Sequence, residues 1–68
     1  MKQGALFYDE NTDRFDINDY HGGLHCGECF DVMIGGRWKP TRIEMADSWY
    51  LVGIRTDDLN GLRVRIER

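Results

Sequence analysis

"ECFDVMIGGRW", residues 28–38, decides how this chain folds. Glu28 to Ile34 reads as a strand whose period of two puts Phe30, Val32 and Ile34 on one face. Gly35-Gly36 follows. Two adjacent glycines supply the pair of positive φ angles that a two-residue hairpin turn needs. A return strand is therefore expected from Arg37 to about Met45. Pro40 falls inside it, and a residue without an N–H belongs at an edge or a bulge.

The same alternation extends in both directions. Ala5-Leu6-Phe7-Tyr8 and Arg14-Phe15-Asp16-Ile17 flank the polar loop Asp9–Asp13, which predicts an N-terminal hairpin. Ala46-Asp47 turns the chain into Ser48–Ile54, where Tyr50, Val52 and Ile54 are assigned inward and Trp49 outward. Asp57-Asp58-Leu59-Asn60-Gly61 suits one short helical turn closed by glycine. In Leu62–Glu67, Val64 and Ile66 face in while Arg63 and Arg65 face out. About five to six short antiparallel strands in so short a chain favour a small barrel, whose closure protects edges that a sandwich would expose. The expectation is one all-β domain over residues 1–68, with no repeat or linker.

Length and composition set further bounds. A chain of 68 residues buries only about 60% of the surface its unfolded form exposes, so its margin is thin and a metal or disulfide staple has to be considered. At 41% hydrophobic and 31% charged, the composition is that of a soluble globular protein. The start, MKQGALFYDE, lacks the apolar core of a signal peptide, and no run approaches the roughly 20 apolar residues of a membrane span. The cytoplasm is the expected location, with Cys26 and Cys29 reduced. The net charge of −3 is unevenly spread: residues 1–31 carry −5 and residues 32–68 carry +2. Such a division can mark an acidic edge and a basic face, or simply solvated strand faces.

Three segments, "GECFDVMIGGRWKPTRIE", "WYLVGI" and "GLRVRI", resemble a small bacterial domain family of unknown function with an SH3-like barrel. Its members are typically stand-alone proteins of Gram-positive bacteria and their mobile elements. The resemblance runs from Gly4 to Ile66. Its marks are Gly27-Glu28, Trp38, Arg42-Ile43-Glu44, Trp49-Tyr50-Leu51 and Val64-Arg65-Ile66. It implies an SH3-like fold and supplies no catalytic residue.

Both histidines and both cysteines fall in "HGGLHCGECF", residues 21–30. Zinc takes a tetrahedron of N and S ligands, usually as two pairs from separate turns. Here His21, His25, Cys26 and Cys29 lie within nine consecutive residues, and placing all four on one ion demands a very tight loop. A glycine-rich entry loop with incidental Cys and His is the preferred reading, with a structural zinc as the alternative. A redox CxxC sits at a helix N-terminus, whereas the residues after Cys29 read as strand. Asp9–Asp13 opens like a calcium loop but continues with Arg14 and Tyr20, where glycine and glutamate are required. The lone Ser48 has no nucleophile elbow around it. Neither an enzyme nor a cofactor is expected.

Binding surfaces remain. Trp38, just after the Gly-Gly turn, and an outward Trp49 could anchor a peptide or stack bases. Arg37, Lys39, Arg63 and Arg65 would add a basic stripe. Against nucleic acid stands an overall pI near 5.2. The expected function is a non-enzymatic protein-interaction module without membrane contact; the alternatives are the zinc-stabilised mini-domain and a nucleic-acid-binding barrel. Trp49 admits two explanations, packing beneath an arginine such as Arg42 or recognition of a partner, and recognition is preferred.

Overall fold

The computed structural model describes residues 2–17 and 23–67. Six strands form one antiparallel sheet: β1 (Lys2–Asp9), β2 (Arg14–Ile17), β3 (Cys29–Ile34), β4 (Arg37–Met45), β5 (Trp49–Leu51) and β6 (Arg63–Ile66). Their order across the sheet is β2-β1-β6-β3-β4-β5. Two long strands make it curl, because each changes partner along its length. Lys2–Ala5 of β1 pair with β6 and Leu6–Asp9 with β2. Arg37–Arg42 of β4 pair with β3 and Ile43–Met45 with β5. The result is a half-barrel around one core, in which Leu6, Ile17, Leu24, Val32, Ile43, Leu51 and Val64 are fully buried.

The Gly-Gly turn forms as expected. Gly35 and Gly36 have φ of 58° and 79°, and Ile34 pairs with Arg37 across them. Pro40 lies opposite Asp31 in a part of β4 that β5 does not reach, so its missing N–H interrupts no ladder on the outer side. The first hairpin also forms, closing on Asp9 opposite Arg14.

Three expectations are corrected. The strand assigned to Ser48–Ile54 covers only Trp49–Leu51. It stops because Gly53 takes φ of 77° and the Ile54 N–H bends back to the Leu51 carbonyl at 3.1 Å. Within Trp49–Leu51 the faces are also reversed, while Ile54, beyond the strand, packs against the core as expected. Register places Leu51 opposite Ile43 and Tyr50 opposite Glu44, so Leu51 is buried and Tyr50 is 44% exposed. Ile43, with no exposed surface at all, fixes which side is inside, and a one-residue shift inverts every side chain. Trp49 shares the inner side and packs against the core.

The helical turn at Asp57–Gly61 is the third. Among the described residues there is no helix. The Asp58 carboxylate instead accepts the Asn60 backbone N–H at 2.9 Å and its side-chain amide at 3.0 Å, an Asx turn. The Asn60 side-chain oxygen in turn accepts the Tyr8 N–H at 2.8 Å, and the Gly61 N–H reaches the Leu6 carbonyl. The Gly61 N–H, which a helical turn would pair locally, is thus claimed by a distant partner.

Candidate functional site

The Cys/His segment turns a corner. The Glu28 N–H donates to the His25 carbonyl at 3.1 Å, and the Glu28 carboxylate accepts the His25 N–H at 2.9 Å. Gly27, at φ of 86°, gives its N–H to the Ile43 carbonyl, and Ile43 returns one to the Glu28 carbonyl. The turn thus extends the β3–β4 ladder by its backbone. Gly23 is required beside it: a Cβ there would stand 3.0 Å from two carbons of the Arg14 side chain, whose guanidinium reaches the Leu24 carbonyl.

His25, Cys26 and Cys29 are all exposed, while His21 lies outside the described residues. Among the described residues no three His, Cys, Asp or Glu side chains are grouped to hold a metal. Protein purified without added zinc is expected to contain far less than one equivalent. It should also stay folded in strong chelator, since a structural zinc would supply folding free energy directly. Stoichiometric zinc with unfolding on chelation would reinstate the four-ligand site.

The aromatic and basic candidates divide by register, because cross-strand partners share a face. On the outer face of β6-β3-β4, Arg65 stands opposite Asp31 and Trp38 opposite Met33. Arg65 reaches across β3: its Nε donates to Asp31 at 2.9 Å, and its guanidinium carbon sits 4.5 Å from the Trp38 ring centroid. Arg63 shares that face, two residues away on the same strand. Arg37 and Lys39 do not, because they pair with the core-facing Ile34 and Val32. The expected four-residue stripe is therefore split. Trp49 is elsewhere again, on β5 behind Met45, with its indole N–H donated to the Asp13 carbonyl at 3.3 Å.

Beside the Trp38–Arg65 pair lies an open cleft of about 470 Å³, lined among others by Cys29, Asp31, Pro40, Arg42, Arg65 and Glu67. Arg42 also pairs with Glu44 at 3.0 Å. Pairs as exposed as these add little stability, but they fix where the guanidinium groups point.

A second open groove, of about 440 Å³, was not foreseen. It lies where the β1–β2 hairpin approaches β5, and it combines Tyr8, Phe15, Met45 and Trp49 with Asp13, Asp47, Asp57 and Asp58. The Tyr8 and Phe15 rings meet edge to face with centroids 5.5 Å apart. The Tyr8 hydroxyl donates to the Asp13 carboxylate, and this bond raises the phenol above its ordinary value of 10.0. Asp58 is held below its ordinary value by the two Asn60 donors. Four chain segments build this groove, so no local motif announces it.

Among the described residues no helix is long and apolar enough to cross a membrane. No curated protein matches the chain. A crystal structure of a protein from Ruminococcus gnavus is similar to it, with 55% identity over 96% of this chain and 100% of that one, and a TM-score of 0.88. The sequence pattern of a family described as a domain of unknown function, DUF5348, matches residues 4–66. Since that match spans β1 to β6, the chain belongs to the DUF5348 family.

Proposed function

We propose that this chain is a non-enzymatic, cytoplasmic protein-interaction module, an SH3-like barrel left open on one side, which docks a partner protein on the outer face of β6-β3-β4. The observation that carries this is the Asp31–Arg65–Trp38 arrangement beside an open cleft. Tryptophan and arginine are the residue types most enriched among interface hot spots. Here both are already ordered by each other and by Asp31, so docking need not freeze them again. Exposed, unjoined cysteines suit a reducing compartment.

Nucleic acid is the weaker partner for this face. Asp31 and Glu44 already engage two of its arginines, and Arg37 and Lys39 fall on the other side of β4. A phosphate backbone needs several uncommitted cations in one track.

The test is capture from the native host with intact chain as bait, comparing wild type with Trp38→Ala and Arg65→Gln. Both variants should fold, with losses on the order of 1 kcal/mol for an exposed cation–π contact, and both should lose the same captured protein. Undiminished capture by both, or capture abolished by nuclease, would overturn this assignment.

A further inference from the structure

The second groove has a chemistry of its own. Trp49 reaches from the β5 edge to the first hairpin, and the groove opens along that seam. Its floor includes buried Phe15, while Tyr8 and Met45, at 38% and 42% exposed, stand on its sides. Large apolar groups this exposed, gathered around one depression, mark a contact surface.

Charge then says what fits. Four aspartates line the groove, and no Lys, Arg or His does. Among the described residues Asp47 and Asp57 have no hydrogen-bond or ion-pair partner. Asp13 is shared with the Tyr8 hydroxyl, and one oxygen of Asp58 is occupied by Asn60. Tyr8 keeps its proton at neutral pH, which leaves a neutral aromatic face rather than a phenolate.

We infer that this seam groove binds a basic peptide segment of a partner protein, seating an arginine or lysine side chain between the Tyr8 and Trp49 rings and the carboxylates of Asp47 and Asp57. A cation over an aromatic face is attracted by the ring quadrupole. The aliphatic stem of a long basic side chain covers apolar surface such as Met45 while its head group remains polar-solvated. An anionic or purely apolar segment would meet uncompensated carboxylates. This site is separate from the Trp38 face, and either can fail without the other.

The experiment titrates isotope-labelled full chain with a decapeptide of alternating arginine and glycine, followed by amide and indole resonances. The same peptide with glutamate for arginine is the control. The Trp49 indole and the amides around Asp47 and Asp57 should shift, and the Trp38 indole should not. D47N/D57N should weaken binding by about tenfold or more, as expected for two charges in direct contact with the ligand. Q3K/C26K raises the net charge by the same two units at exposed positions outside both grooves and should bind like wild type. Equal weakening by both double variants would reveal diffuse attraction and overturn the site. So would shifts centred on Trp38, no shifts at the seam, or sedimentation showing that a second copy of the chain covers the groove.

Discussion

A chain carrying valine at both Gly35 and Gly36 should lose about 3 kcal/mol or more of folding stability, from roughly 1–2 kcal/mol for each L-residue forced into the left-handed region. β-Branching makes valine worse there than most residues. The cost is purely one of backbone, because a Cβ at either position would meet nothing within 4 Å. That isolates the cause and yields a control. Gly35→Asn alone, which keeps Gly36, gives the Asn-Gly pair favoured in such turns and should melt near wild type. A domain of this size has on the order of 3–10 kcal/mol in total, so the double valine variant should be largely unfolded at moderate temperature. Normal melting of that variant would remove the turn as a determinant of the fold.

Trp49→Ala should cost about 2–3 kcal/mol, somewhat below the roughly 3–5 kcal/mol of a fully buried aromatic. The ring packs against the core, and its N–H holds the Asp13 carbonyl across the seam. Both are lost on truncation. At about 4–8 °C for each kcal/mol in a domain this small, the fall in melting temperature is easily read. Trp49→Phe should recover most of the packing and lose the hydrogen bond, for a net cost of about 1 kcal/mol. This expectation reverses the preference drawn from sequence, which had Trp49 facing outward for recognition. A Trp49→Ala variant melting within a few degrees of wild type would return the indole to a purely binding role.

Why one strand could be read and another not is a matter of pattern. Phe30, Val32 and Ile34 recur at every second position and end at a turn that only glycines fit, so β3, β4 and their register follow from local rules. Val64 and Ile66, between arginines, fix β6 in the same way. "WYLVGI" has no alternation, so its inner face depends on what lies opposite, and only the pairing of Leu51 with Ile43 decides it. Asp57–Gly61 misled for a related reason: Tyr8 and Leu6, more than fifty positions away, take up its Asn60 and Gly61 groups. The candidate surfaces were legible in their residue types and not in their grouping. Trp38 and Arg65 were singled out, but their stacking needs β6 and β4 to flank β3. Arg37 and Lys39 were grouped with them by charge, and register then placed them on the other side.

The division of β1 between two partners also bears on how the chain assembles. The hairpins β1–β2 and β3–β4 close short loops and can form independently, since loop-closure entropy is small for near neighbours. Joining them falls to β6, which meets β3 at two register positions and β1 at four. Its pairing of Lys2 with Ile66 brings together residues from almost opposite ends of the chain. Contacts so distant in sequence slow folding. The strand that unites the two hairpins is therefore β6, and the half-barrel closes only when segments far apart in sequence have met.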